Sequence, residues 1–179
     1  MNNRGFTLIE LVISLFILVA VIIGVYTAFA TLVSLGSGIK DRFIAAYLAQ
    51  EGMEVIRNIR DYNWVKYQND LTVGWLDGLA PGLCETGCQL DYTTGTGIDG
   101  EYAIHPYSEQ SHLNLNSNGL YTYLSGIETK FRRKITVTPI LEGSETDAHI
   151  ARVVTEILWN DGRYGELKFE TEEYLYNWY

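Results

Sequence analysis

The first feature of the hydrophobic pattern is a stretch from Leu11 to Ile39 that is mostly apolar and contains no charged residue. About 20 consecutive apolar residues suffice for a helix to cross a bilayer, and a helix satisfies its own backbone hydrogen bonds in lipid. Residues 6–35 are therefore predicted to form one membrane-spanning helix. Glu10 lies just inside the apolar run. Because an intramembrane carboxylate costs about 2.5–3.5 kcal/mol, Glu10 is a candidate functional residue.

The hydrophobic period then changes to that of an amphipathic helix. Apolar or small residues recur at spacings of three and four: Ala45, Leu48, Ala49, Gly52, Ile56 and Ile59. Charged residues fall mainly off this stripe, so residues 36–62 are predicted to be the outer, amphipathic half of the same helix. The stripe is expected to pack on the protein's own sheet, on another chain, or on both at different depths. The helix contains no proline, and Gly36 to Gly38 are predicted as its flexible point.

The helical pattern ends where the chain becomes rich in Gly, Asn, Ser, Thr and Asp, between residues 63 and 119. This segment is predicted to be loop-rich and variable, with short strands at Gln89–Tyr92 and Tyr102–His105. Residues 120–179 show the alternation of an antiparallel sheet. Its predicted parts are a strand beginning near Tyr121, strands Phe131–Ile140 and Ile150–Trp159, a hairpin turn at Asn160–Arg163, a returning strand Tyr164–Thr171, and an aromatic ending, Tyr174–Tyr179, that packs back on the sheet. The fold class is α+β.

The composition argues against some classes of function but does not identify the function. Apolar residues make up 47% and charged residues 20% of 179 residues, as in a packed, ordered protein. The net charge of −9 argues against a nucleic-acid partner, and the basic residues Lys130, Arg132, Arg133 and Lys134 divide between the two faces of a strand. The sequence shows no phosphate loop and no nucleophile motif. We therefore expect neither an enzyme nor a cofactor.

The residues Gly5-Phe6-Thr7-Leu8-Ile9-Glu10 and the apolar run after them resemble the cleavage and methylation signature of type IV pilins and type II secretion pseudopilins. The resemblance implies that residues 1–5 are a leader, and that a prepilin peptidase cuts between Gly5 and Phe6 and methylates the new amine of Phe6. It also implies that this amine pairs with Glu10, on a neighbouring subunit of a filament. A buried ion pair is costly when half-made, so such pairing would set the register between subunits.

The same resemblance implies a fold, partners and a location. The pilin fold is a long N-terminal helix packed on a small C-terminal antiparallel sheet, and the order of elements favours a minor pilin or a pseudopilin. The implied partners are the prepilin peptidase, other pilin or pseudopilin subunits, the inner-membrane assembly platform and the lipid bilayer. With Arg4 kept inside by the positive-inside rule, the chain crosses the cytoplasmic membrane once, its C-terminal domain lies outside, and it later joins a pilus or pseudopilus.

Two alternatives to pilin-like processing remain at this stage. A secretory signal peptide would be cleaved after Ala28-Phe29-Ala30, which fits the small-x-small pattern. A single-span anchor would instead hold an extracytoplasmic binding or adhesion module at the membrane, and its topology would be the same as that of a pilin.

The two cysteines, Cys84 and Cys88, are predicted to form a disulfide, because an outward-facing domain lies in an oxidising compartment. A metal site would need two more ligands, from acids or from His105, His112 or His149, and no metal-binding spacing is present. A redox-active pair would have two intervening residues, whereas this pair has three. Calcium binding in the acidic stretch Asp91 to Glu101 is a further alternative, although no EF-hand pattern occurs there.

Overall fold

The computed structural model describes residues 7–68, 72–94, 104–141, 148–162 and 165–177. The chain divides into two compact units, Met1–Asp41 and Arg42–Tyr179. The helices of the described residues are α1 (Leu8–Tyr67) and α2 (Leu83–Thr86). The strands are β1 (Cys88–Gln89), β2 (His105–Pro106), β3 (Asn114–Leu115), β4 (Tyr121–Thr122), β5 (Ile127–Glu128), β6 (Phe131–Ile140), β7 (Ile150–Asp161) and β8 (Gly165–Tyr176). A long N-terminal helix followed by antiparallel sheet confirms the predicted α+β class.

Helix α1 ends at Tyr67 and not at residue 62, where the outer half of the helix was predicted to end. The last turns are held by a side chain that the apolar pattern does not reveal. Asn63 is buried, and its amide donates to the carbonyl oxygens of Trp75 at 3.2 Å and Asp77 at 2.9 Å. Gly36 and Gly38 lie within α1, and their role as a flexible point stays a prediction.

In the second unit, the predicted apolar stripe of α1 forms the inner surface of the core. Ala45, Leu48, Ala49, Ile56 and Ile59 are each at most 2% exposed. They belong to two clusters. One joins Met53, Ile56 and Ile59 to sheet residues Ile135, Val137, Ala151, Val153 and Leu175; the other joins Ala45, Leu48 and Ala49 to Leu113, Phe131, Ile157 and Trp159. Burying a large apolar side chain contributes about 1.5–3 kcal/mol, so this stripe is a main source of stability for the unit.

The main sheet has the order β2-β1-β6-β7-β8, and all of its neighbouring strands are antiparallel. The predicted bounds of β6 are confirmed, and β7 continues two positions beyond the predicted end, to Asp161. The register places Phe131 opposite Trp159 and Ile140 opposite Ile150. The hairpin closes where Asp161 faces Gly165; Arg163, at the predicted turn, lies outside the described residues.

The aromatic C-terminal segment forms part of a strand, whereas it was predicted to pack back on the sheet. Its residues up to Tyr176 continue β8 and pair with β7, so that Ala151 faces Leu175 and Ile150 faces Tyr176. Leu175 is buried, whereas the alternate side chains Tyr174 and Tyr176 are 46% and 45% exposed. Because β7 is long enough to offer backbone partners here, the segment extends the sheet instead of folding back over it. The final two residues lie outside the described part of the chain.

The loop-rich segment contributes to both sheets. Strand β1 lies beside β6, with Cys88 facing Ile135, and β2 pairs with β1. Strand β1 is shorter than predicted. Strand β2 contains His105, the last residue of the predicted strand, and continues to Pro106; Tyr102 and Ala103 lie outside the described residues. Strands β4, β3 and β5 form a separate three-stranded sheet. Strand β4 lies where a strand was predicted to begin, near Tyr121, whereas β3 and β5 were not predicted. Two-residue strands carry little alternation, so the sequence pattern is a weak signal for them.

Candidate functional site

The membrane-length part of α1 has an apolar surface that the first unit leaves uncovered. Its most apolar window has a mean hydropathy of 3.0, and no part of this window is buried. Large side chains such as Leu11, Phe16 and Val25 are more than half exposed. A soluble monomer rarely exposes so continuous an apolar surface. By length and composition, α1 is able to cross a membrane, and this fits membrane anchoring.

Three hydroxyl groups within this segment donate to carbonyl oxygens of the helix itself. The hydroxyl of Ser14 donates to the carbonyl of Leu11 at 2.9 Å. The hydroxyls of Thr27 and Thr31 donate to carbonyls three or four residues earlier, at 2.9 to 3.1 Å. An unpartnered hydroxyl in hydrocarbon would be costly, whereas these side chains need no water. The segment is therefore suited to a lipid or protein environment along the part that carries these hydroxyls.

The first turn of α1 is capped by Thr7. The backbone N–H of Glu10 donates to the Thr7 hydroxyl oxygen at 3.3 Å, and the N–H of Leu11 donates to the Thr7 carbonyl at 3.2 Å. Thr7-x-x-Glu10 has the spacing of a capping box, and an acid in the first turn complements the helix dipole. The sequence reasoning treated Glu10 alone and missed Thr7, although this spacing was a readable signal.

The predicted processing and assembly residues are only partly within the described chain. Gly5 and Phe6 lie outside the described residues. Glu10 occupies the first turn of α1, and its side chain is exposed. Its pairing with the amine of another subunit stays a prediction.

The two cysteines are joined by a disulfide in the second unit. The S–S distance is 2.05 Å and the Cα atoms lie 4.6 Å apart. Both residues are fully buried within the core cluster that also contains Ile56 and Ile135. The bridge links α2 to β1, the strand through which the loop-rich segment joins the main sheet. In this position it fastens a segment that has little regular structure of its own.

The described residues include His105, His112, His149 and Asp91, which were candidate metal ligands. Within those ranges, no group of three or more His, Cys, Asp or Glu side chains is placed to hold a metal ion. Asp91, the first acid of the suggested calcium stretch, accepts hydrogen bonds from the hydroxyls of Thr93 and Thr122 and the backbone of Tyr123. Burial raises the pKa of Asp91, but these hydrogen bonds outweigh burial and hold its pKa below the usual value. Glu101 lies outside the described residues.

Among the described residues of the second unit, the most buried charged side chain is that of Arg133, which the sequence analysis placed in a strand without predicting its role. Arg133 is fully buried and donates to the carbonyl oxygens of Leu48 at 2.9 Å and Leu90 at 2.7 Å. It also lies 3.2 Å from the carboxylate of Glu51. It therefore connects α1, the loop-rich segment and β6 at one point. In the sequence, Arg133 stands between Phe131 and Ile135 in the alternating pattern of β6, and this position was the available signal that its side chain is buried.

The absence of a side chain at Gly52 leaves space for the buried Arg133 side chain. A Cβ atom on Gly52 would lie 3.0 Å from Arg133 Cδ and 3.0 Å from Ile135 Cδ1. The missing side chain at Gly52 thus allows α1 to lie close to the sheet. Tyr123 donates its hydroxyl to the Arg133 carbonyl at 3.1 Å, and burial raises the pKa of Tyr123 to about 12, although the nearby Arg133 opposes the rise. Through these contacts the cluster joins the helix to the sheet within the second unit.

Comparison with known proteins identifies the N-terminal part. Residues 1–26 match the prokaryotic N-terminal methylation motif, the hallmark of the prepilin-type signal of type IV pilins and pseudopilins. Neither a comparison with curated proteins nor one with solved structures finds a match. The chain therefore carries the signal of a type IV pilin-like precursor on an α+β layout consistent with the pilin fold. Such a signal suggests a structural subunit and not an enzyme, and it implies processing by a prepilin peptidase and assembly with other pilin subunits.

Proposed function

We propose that this chain is the precursor of a structural subunit of a type IV filament, either a minor pilin or a pseudopilin. The observation that carries the proposal is the methylation motif at residues 1–26, which continues into the exposed apolar part of α1. A surface of that kind is stable in lipid before assembly and against other helices after it. The proposed role needs no catalytic residue and no cofactor.

Maturation would begin at the inner face of the cytoplasmic membrane. The prepilin peptidase cuts between Gly5 and Phe6, removes residues 1–5 and methylates the Phe6 amine. Residues 6–35 then form the transmembrane and filament-core segment, and residues 36–62 the outer amphipathic half of the helix. Residues 63–119 and 120–179 make up the extracytoplasmic domain. The uncovered apolar surface of α1 supports this division.

Assembly would use the pairing of opposite charges in an apolar environment. The Phe6 amine of one subunit meets Glu10 of its neighbour, and van der Waals contacts between the membrane helices stabilise the packing. Head-to-tail contacts of this type build an open helical assembly. The assembly platform of the inner membrane supplies subunits, which then move from the bilayer into a pilus or pseudopilus. The position of Glu10 in the first helical turn supports this arrangement.

The proposal is tested first by the intact mass of the chain purified from a membrane that contains an active prepilin peptidase. We expect a chain that begins at Phe6 and carries one added methyl group. A host with an inactive peptidase is the matched control, and there the chain should keep Met1. Retention of Met1 in both hosts would favour a plain membrane anchor for a binding module. A chain that begins at Thr31 would show that the apolar segment is a cleaved secretory signal.

The assembly step is tested separately with Glu10→Gln. We expect the variant to insert into the membrane at the native level and to be lost from sheared filaments. Glu109→Gln removes the same charge from an exposed position of the second unit and should assemble normally. Equal incorporation of both variants would refute the role of Glu10 without affecting the processing result.

A further inference from the structure

A groove of about 870 Å³ lies in the second unit. Its walls are formed by the end of α1, the loop at residues 72–81, α2, the end of β6, the two residues before β7 and Asn177 after β8. Three aromatic side chains contribute to them: Trp64, Tyr67 and Trp75. The Trp75 indole N–H donates to the carbonyl of Ala148 at 2.9 Å, which fixes this ring at the groove. The groove thus combines concavity with rigid aromatic surface, as ligand sites commonly do.

Two carboxylates of the groove differ from most of the other carboxylates that the structure describes in the second unit. Asp77 and Glu85 line it, and both are exposed. Within the described ranges, neither carboxylate has a cation or a side-chain hydrogen-bond donor as its partner. Among the described residues, carboxylates that pair with Arg or Lys include Glu51, Glu54, Asp61, Glu156, Glu166, Glu170, Glu172 and Glu173, and Glu128 lies 3.5 Å from His112. At these two carboxylates the groove therefore presents negative charge that no cation of the described residues pairs with.

The charge of the whole unit determines which partners are complementary to the groove. The chain has 13 Lys and Arg and 22 Asp and Glu; residues 1–41 hold two of each, so residues 42–179 hold 11 and 20 and carry the entire net charge of −9. The cations Arg57, Arg133 and Lys168 are already engaged by carboxylates. A second copy of this unit is thus a poor electrostatic match, and a basic segment of a different protein is a good one.

We propose that the groove binds an extended peptide segment, bearing Lys or Arg, of another protein. The cationic group would lie near Asp77 and Glu85. Its methylene stem or guanidinium plane would pack on Tyr67 or Trp75, where cation–π attraction adds to the charge pairing. The Trp64 ring already carries the guanidinium of Arg60, 4.5 Å from its centroid. This inference goes beyond the proposed filament role and does not depend on it. A processed or an unprocessed chain has the same groove residues.

The test uses the full chain in detergent micelles and a short amidated peptide of alternating arginine and glycine. Isothermal titration calorimetry measures its affinity, and the indole N–H resonances of Trp64 and Trp75 report where it binds. We expect binding that weakens with added salt. Asp77→Asn combined with Glu85→Gln should weaken it by about fivefold or more, as expected for the loss of two exposed charge contacts. The indole resonances should shift only when the native groove is present.

The matched control is Glu109→Gln combined with Glu128→Gln, which removes equal charge at exposed positions that do not line the groove. It should bind the peptide as the native chain does. Equal weakening in both double variants would show that the net charge alone attracts the peptide, and the proposal would be wrong. Equally tight binding of a serine–glycine peptide, of a neutral oligosaccharide or of a second copy of the chain would also overturn it, as would an absence of binding to the native chain.

Discussion

The two parts of α1 show how one helix meets two different requirements. Between Leu8 and Ile39, large apolar residues point in all directions and remain exposed within the first unit. Between Ala45 and Asn63, apolar and small residues form a single stripe, which is buried against the sheet of the second unit. The first pattern is that of a helix surrounded on all sides by apolar material, and the second that of a helix with one dry face.

The difference teaches that secondary structure alone does not reveal the environment of a helix. The backbone hydrogen bonds are of the same type throughout α1, but the partners of the side chains are not. In the first part, the partner has to come from outside the chain, as lipid or as other helices. In the second part, the sheet of the same chain is the partner. The buried cation Arg133 and the close approach at Gly52 add to this packing. Changes in the two parts should therefore affect different measurements.

The largest effect on the second part is expected from Arg133→Ala. The substitution leaves the carbonyls of Leu48 and Leu90 without their donor and removes the cation beside Glu51. Breaking a buried pair by removing one partner costs about 3–5 kcal/mol. The free energy of unfolding, measured with denaturant in micelles, should fall by about this amount, while membrane association stays unchanged. Arg152→Ala, at an exposed ion pair, should cost at most about 1 kcal/mol. Similar losses for both variants would contradict the structural role of Arg133.

The converse change in the first part is Ile22→Asp. Ile22 is exposed in the middle of the apolar segment, and an acid at the centre of a membrane helix costs about 2.5–3.5 kcal/mol. We expect the chain to be depleted from the membrane fraction, with little change in the unfolding of the second unit. Ile22→Ala is the control and should remain membrane-bound. If Ile22→Asp were also retained fully, the assignment of this part of α1 to lipid would be wrong.

A sharper comparison comes from adding the same side chain to each part. Gly52→Val places atoms where a Cβ already lies 3.0 Å from Arg133 and Ile135, whereas a Cβ at Gly24 meets nothing within 4 Å. Overpacking of a core costs about 1–3 kcal/mol, so Gly52→Val should lower the melting temperature of the second unit. Gly24→Val should leave that temperature unchanged. Equal melting temperatures would mean that α1 does not need a small residue at position 52.

A smaller effect is expected at the capped end of the first part. Thr7→Val keeps the size of the side chain but removes the hydroxyl that accepts from the Glu10 N–H. Loss of an N-cap costs about 0.5–2 kcal/mol. Amide hydrogen exchange at Glu10 should accelerate by a matching factor, and Thr7→Ser should retain the native protection. Unchanged exchange in Thr7→Val would show that the cap contributes nothing to the first turn.

The smallest expected effect is a pH dependence that belongs to the second part. Because the folded pKa of Asp91 is lowered, the charged form stabilises the folded state above the unfolded pKa of about 3.9. This contribution is lost as the pH falls through the folded pKa. The difference in unfolding free energy between the native chain and Asp91→Asn should therefore shrink below about pH 4. A difference that stayed constant or grew as the pH fell would contradict the lowered pKa.

The amino-acid sequence by itself determined those features of the protein that depend on the periodicity of residues within one segment. The uninterrupted apolar run, the stripe from Ala45 to Ile59 and the bounds of β6 all follow from patterns within one segment. The methylation motif is likewise contiguous, at residues 1–26. Each of these features depends on neighbours along the chain, so no knowledge of distant contacts was needed to read them.

Only the tertiary structure decided the features that depend on distant residues. Arg133 has the same alternation as its apolar neighbours, and its role appears only when Leu48 and Leu90 supply carbonyls from other segments. The addition of β1 to the main sheet, the continuation of β8 to Tyr176 and the groove with unpaired Asp77 and Glu85 have the same origin. Their energies come from partners far apart along the chain, which periodicity within a single segment does not encode.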